Sequence, residues 1–296
     1  MKKRYLIERG ALLLSAACAV LASLMLFLIV GKIAIDAVPS LTWYFLTTPE
    51  SMTPGIGQGI ANAIVGTLVI SICATILAIP LGVMTAIHLQ RYARDTLMTR
   101  GFRFFIEVMS GTPSIVVGIF GLLVLVYYLK PVFGGFSLIA GSIGLAILIM
   151  PVIERATEDA IAAVPSSLEE GSYALGASKW QTIRGITLPT ALSGIVTGII
   201  LAFGRAAEES AVVILTAGYS QFMPEVAVKA NEKFLLGYKI YPFNDVIGTL
   251  PYSVYHAYEN SNVIPVSNAF AAAFVLIVIV LLVNLTAKAV LWRCRR

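Results

Sequence analysis

LEEGSYALGASKWQTIRGITLP, Leu168 to Pro189, is the polar stretch on which the reading of this chain turns. It holds the carboxylates Glu169 and Glu170, the cations Lys179 and Arg184, several small residues and a closing proline. Long apolar runs flank it on both sides. A membrane span needs about 20 such residues. The composition points the same way: of 296 residues 58% are hydrophobic and 12% charged, with a mean hydropathy of +0.87. A soluble domain carries about 25% charge. The whole chain, 1–296, therefore reads as a single all-α integral membrane domain.

Working outward, six spans are expected, at about 10–31, 60–89, 110–128, 137–153, 191–217 and 266–291. The first follows the basic start MKKRYLIER and is too long for a cleaved signal peptide, so it is read as retained. Residues 38–59, with Trp43 and Tyr44, read as an interfacial connection. Pro80 is expected to kink the second helix, which neighbouring helices can tolerate. RYARDTLMTRGFRFF reads as a basic loop, and SGTPSIVVGIFG, Ser110 to Gly121, as a span opening suited to close packing. Residues 154–190 form the loop that carries the polar stretch, and 218–265 a long connection.

Charge sets the orientation. Fifteen Lys/Arg fall in the terminal segments, the basic loop and the polar loop, against five in the other connections. The positive-inside rule places both termini and residues 168–189 in the cytoplasm. Arg205 is left as the one cation expected inside a span.

The polar stretch is expected to form a short helix from Pro165 to about Lys179. Pro165 suits its start, Ser166 and Ser167 can cap it, and Glu169 and Glu170 complement its dipole. Gly176 and Ala177 leave the backbone bare for a partner, and Pro189 marks the return into the membrane. Such a helix could dock into a groove on another protein or lie as an ordinary loop on the bilayer.

The stretch resembles the signature loop of ABC importer permeases, whose pattern is EAA, three residues, G, nine residues, then I-x-LP. Glu170, Gly176, Ile186, Leu188 and Pro189 stand at those positions, while Gly171 and Ser172 replace the two alanines. GTPSIVVGIFG, the stretch from MPVIERATEDAIAAVP through ITLP, and GRAAEESAVVILTAG resemble blocks of the phosphate-specific (Pst) importer permeases. TAG and LPYSVYHAY resemble the A-type subunit more than the C-type. The resemblance implies the type I importer permease fold. It also implies a C-type permease partner in a heterodimer, two cytoplasmic ATPase subunits and an extracytoplasmic phosphate-binding protein, with this chain in a bacterial or archaeal cytoplasmic membrane. Glu170, Gly171, Ser172, Gly176, Ala177, Ile186, Leu188 and Pro189 would then couple to the ATPase.

GRAAEES, Gly204 to Ser210, is the sharpest chemical feature. Ionised groups in mid-span cost about 2.5–3.5 kcal/mol each. Helical spacing puts Arg205 and Glu209 at i and i+4, within reach of each other. They form either a self-neutralising pair or a guanidinium facing an aqueous path, able to hold a tetrahedral oxyanion with paired hydrogen bonds. Similar Pst permeases carry GRAxGE, so Arg205 and Glu209 match and Glu208 replaces a glycine. Glu208 is expected to face away from the path or to pair with a group on another helix. Ser114 can donate a hydrogen bond at the mouth of its helix or simply pack.

Other classes lack their residues. No G-x-x-x-x-G-K-[ST] loop is present, so no nucleotide cofactor is expected on this chain and ATP belongs to a partner. Three cysteines and two histidines, dispersed, give neither a metal site nor a catalytic centre. The net charge of +5 gathers at span ends, which argues for membrane lipid and against nucleic acid. An importer of another oxyanion, tungstate or molybdate, is the nearest alternative.

Overall fold

The apolar run at the start forms one helix, α1 (Lys2–Ala37), in a computed structural model that describes residues 2–55, 57–230 and 238–294. It continues past the expected end at 31. Lys32 and Asp36, one turn apart, close an ion pair of 2.8 Å that carries it into polar surroundings. Large apolar side chains such as Leu14 and Phe27 stay exposed along it, as on a helix that faces lipid. The following connection contains α2 (Trp43–Thr47), where the Thr42 hydroxyl accepts a hydrogen bond from the Phe45 N–H.

Next comes α3 (Ala61–Ile87), with Pro80 inside it and a π turn running on to Tyr92. The stretch expected as a basic loop is instead helical. α4 (Leu97–Gly111) starts at Thr96, whose hydroxyl accepts from the Thr99 N–H. The span expected at 110–128 is likewise corrected: α5 (Ser114–Gly121), widening into a π turn through Tyr128, is bent by 100° from α4. Pro113 causes the break, because it has no N–H to donate and holds Thr112 in an extended conformation.

A short turn, α6 (Lys130–Phe133), leads into α7 (Leu138–Ala162). This span does not stop near 153. Glu154, Thr157 and Glu158 are buried, and Glu158 is held by Arg103 of α4 and by Gln90, whose Nε2 lies 3.0 Å away. The polar loop thus begins after Ala162, later than expected.

The loop holds α8 (Ser166–Ala174) and α9 (Lys179–Thr182), and the chain returns through a π turn into α10 (Leu188–Glu208). The fifth span, expected unbroken to 217, divides: α10 ends at Glu208, and α11 (Ala211–Thr216) follows. In the long connection β1 (Val228–Ala230) pairs antiparallel with β2 (Tyr238–Ile240), and α12 (Leu250–Glu259) precedes α13 (Val266–Cys294).

α7 lies at the centre, between α3 and α10. Gly194 and Gly198 of α10 face Ala160 and Ala156 of α7; a Cβ on Gly198 would come within 2.3 Å of that of Ala156. Small residues one turn apart on both helices let the backbones approach closely, which is how spans pack without a hydrophobic drive. Ile161, Ile183, Ala191 and Ile195 pack around the Ala160 end of this contact, and Ile70, Leu145, Ile149, Ile153, Ala202 and Val212 fill the main core beyond it. Among the described residues five helices are long and apolar enough to cross a membrane, six if α4 and α5 form one span. The expected all-α, roughly six-span architecture holds.

Candidate functional site

Two regions carry the polar chemistry. The first is the break between α10 and α11. Arg205 is exposed on the outer face of α10, in line with Leu201 and with Glu208, which shares that face instead of turning away from the arginine as expected. Neither Arg205 nor Glu208 has a hydrogen bond or ion pair among the described residues. The expected Arg205–Glu209 pair does not form, because Glu209 lies beyond the helix in an extended conformation. Its Oε1 instead accepts a hydrogen bond of 3.0 Å from the Ala211 N–H and so caps α11. Backbone freed by such a break is tolerated at membrane depth only where it meets protein or lines a wet cavity. Broken helices of this kind serve as ion sites in transporters.

Ser114 belongs at the same level. α5 and α11 pack in parallel: a Cβ on Gly118 would meet Ala211 and Val212, and one on Gly121 would meet Thr216. One turn before Gly118, Ser114 therefore sits beside the Glu208–Ser210 break. Its hydroxyl has no partner among the described residues. Arg205 is not the sole cation within a span, since the longer α7 includes Arg155. That guanidinium, however, has Glu107 at 3.7 Å and Glu158 at 3.6 Å.

The second region is the polar loop. Its helix ends at Ala174 instead of continuing to Lys179, because Gly176 takes a left-handed φ of 85°. Ser178 and Gln181 then form a capping box that starts α9. No serine caps α8, where Pro165 precedes the first turn. Glu170, Gly171 and Gly176 lie exposed, with open space where a Cβ would stand on either glycine. Leu168, Tyr173, Trp180 and, at 91% exposure, Leu175 add an apolar surface. Ala177 and Ile186 are half-buried, and Ser172 shares a hydrogen bond of 2.9 Å with Thr182. Leu188 and Pro189 form the first turn of α10.

Glu169 has a larger role than its sequence position suggested. Its Oε1 lies 2.9 Å from Arg91 Nη2 and accepts the Thr187 hydroxyl at 2.6 Å. Arg91 also donates to the Ile161 carbonyl. One carboxylate thereby ties α8 to the inner ends of α3, α7 and α10. Only its placement opposite the basic Arg91 segment could have hinted at this.

Sequence reasoning also missed a buried acid on the far side. Glu50 is 6% exposed, accepts the Gly57 N–H at 2.8 Å, and lies near His256. Burial raises its pKa above the ordinary carboxylate value, against the pull of the Gly57 hydrogen bond and of His256. His256 stacks with Tyr219 and Tyr252 at centroid distances of 5.2 and 5.9 Å. Among the described residues no group of His, Cys, Asp and Glu could hold a metal.

The profile of the family described as binding-protein-dependent transport system inner membrane component matches residues 78–295. The chain is 35% identical over 286 residues to the phosphate transport system permease protein PstA 2 of Mycobacterium bovis, covering 95% of this chain and 87% of that one. It is 40% identical over 183 residues to the phosphate transport system permease protein PstA of Yersinia pestis, covering 62% of this chain and 60% of that one. A solved bacterial ABC transporter involved in import of the acidic polysaccharide alginate has a similar chain, with TM-score 0.63 and 14% identity over all of both chains. That likeness concerns the fold.

Proposed function

The chain belongs to the binding-protein-dependent transport system inner membrane component family, and on that premise we propose that it is a membrane-spanning permease subunit of an ATP-driven inorganic phosphate importer. Phosphate is the substrate that the named relatives support. The observation that carries the reading is Arg205, exposed and unpartnered among the described residues beside a break in a span. A charge left so in an apolar helix marks a path better than it marks a lipid face. Its planar fork suits a tetrahedral oxyanion. Ser114 adds a hydroxyl at the same level, and Glu209, engaged in capping α11, shapes the break without neutralising the arginine.

The chain itself is not an enzyme in this reading. ATP is hydrolysed on two partner subunits, one of which docks on Glu170 to Ala177 of this chain, and a C-type permease completes a heterodimer. An extracytoplasmic binding protein delivers the anion to a chain in a bacterial or archaeal cytoplasmic membrane. When the ATPases close they displace α8, and Glu169 passes that displacement to α3, α7 and α10 together. Ile186, Leu188 and Pro189 hold the return into α10 as the segment moves.

Phosphate uptake into proteoliposomes of the assembled transporter, wild type against Arg205→Ala, tests the path. Loss of uptake with the assembly intact is the expected result, and full uptake overturns the assignment. A guanidinium accepts any tetrahedral oxyanion, so competition by tungstate and molybdate decides the substrate.

A further inference from the structure

A groove at the inner end of α3 remains outside this scheme. Its volume is about 370 Å³, and Met84, Leu89, Met98 and Phe102 line it where α3 and its π turn meet the start of α4. The size falls within the range of small-ligand pockets. The apolar lining continues outward on both helices, with Leu81 of α3 and Leu97 and Phe105 of α4 exposed. Ile106 is the only buried residue of α4. A helix with cations and large apolar side chains on separate faces lies in a membrane interface.

The rim is cationic. Among the arginines near it, Arg91, Arg100 and Arg103 are engaged by Glu169, Asp95 and Glu158. Arg94, next to the lining residue Ala93, is exposed and has no side-chain partner among the described residues. His88 lies on the groove wall and stacks on Tyr92 at 6.3 Å. Lys179 of α9 holds its ammonium 4.9 Å from the centre of that same Tyr92 ring. An apolar slot at the end of a span, with an unpaired arginine beside its lining and a lysine one ring beyond on Tyr92, matches a lipid in both halves: acyl chain inside, anionic headgroup at the rim.

We propose that this groove binds an anionic phospholipid, one acyl chain along Met84, Leu89, Met98 and Phe102 and the headgroup phosphate at Arg94 and Lys179. The inference rests on the permease reading for its placement at the cytoplasmic face. Lys179 belongs to the loop proposed to dock the ATPase, so an occupied groove steadies that loop and makes coupling depend on the lipid. A free phosphate would leave the apolar slot unfilled, and a protein partner would cover it altogether.

Native mass spectrometry of the delipidated, assembled transporter, titrated with phosphatidylglycerol or phosphatidylcholine, tests this. Wild type should retain phosphatidylglycerol preferentially. Arg94→Gln and Lys179→Gln should each weaken that retention about fivefold, and Ala93→Trp, which fills the slot, should abolish it. Equal retention of both lipids overturns the proposal, as does retention unchanged in all three variants. So does a Met98→Cys variant that crosslinks to a partner chain in the assembled complex and not to a lipid probe. If phosphate uptake persists in wild type while lipid selectivity is absent, the lipid site alone is wrong. If Arg205→Ala retains uptake, the path assignment fails independently of it.

Discussion

The charges at the polar loop and those at the α10–α11 break are handled in different ways. At the loop, Glu169 is closed in by Arg91 and Thr187, and nearby, in the last turns of α7, Glu158 is closed in by Arg103 and Gln90. At the break, Arg205 and Glu208 are left without partners among the described residues, in the last turn of an otherwise apolar helix. Water reaches the loop and would tolerate a loose charge, yet there Glu169 is closed in, while Glu170 stays open on the docking face. The apolar span tolerates such charges least, yet there it leaves them open. The contrast separates charges that fix the fold from charges that wait for something outside it.

The contrast breaks first at Arg205. Replacing it with alanine should lower phosphate uptake about 100-fold, since two charge-assisted hydrogen bonds are lost with the fork. Arg205→Lys keeps the charge without the fork, and about a tenfold loss is expected. Thermal unfolding of both variants should match wild type, because no hydrogen bond or ion pair among the described residues disappears. A large fall in stability would move Arg205 into the structural class.

Glu169 should behave in the reverse manner. Glu169→Ala removes the tie among three spans and leaves Arg91 uncompensated, so a loss of about 1.5–3 kcal/mol is expected. The ratio of phosphate moved to ATP hydrolysed should drop by about tenfold while substrate affinity holds. An equal drop in affinity would show that the two regions are not separable.

Much of this was legible because it rests on period and composition. Runs of about 20 apolar residues revealed the spans, and the spacing from Glu170 to Pro189 revealed the loop. What escaped depends on contacts between distant segments. α4 looked like a loop because its cations at 100 and 103 read as solvated, whereas Arg103 closes on Glu158 of α7. The inner half of α7 was cut short for the same reason. The i, i+4 rule paired Arg205 with Glu209, but it presumes a continuous helix, and the helix stops at Glu208. Glu50, isolated in a Pro-rich connection, offered no pattern at all.

A smaller effect should come from Glu50, whose pKa is raised by burial above the ordinary 4.5. The folded chain then binds the proton more tightly than the unfolded chain. The contribution of Glu50 is most favourable below the ordinary value and is lost as pH rises through the folded one. Glu50→Gln keeps an acceptor for the Gly57 N–H without the ionisation. The stability difference between wild type and this variant, followed by denaturation in detergent, should shift against wild type as pH rises through that window. A flat difference would mean that Glu50 is not desolvated in the assembled protein.

The smallest effect should come from the departure at Gly171, and it bears on what the loop is for. A Cβ added there meets nothing within 4 Å, and α8 is exposed. Gly171→Ala should therefore stabilise the helix by up to about 1 kcal/mol, seen as a slightly higher unfolding midpoint with uptake unchanged. Gly176→Ala is the control: its neighbourhood is equally open, but a φ of 85° penalises any side chain. If Gly171→Ala stabilises the chain yet lowers uptake, the partner ATPase packs on bare backbone at 171. Glycine would then stand in place of the family's alanine because of the groove it enters, and the loop would resemble the α10–α11 break in being shaped by what is not in the chain.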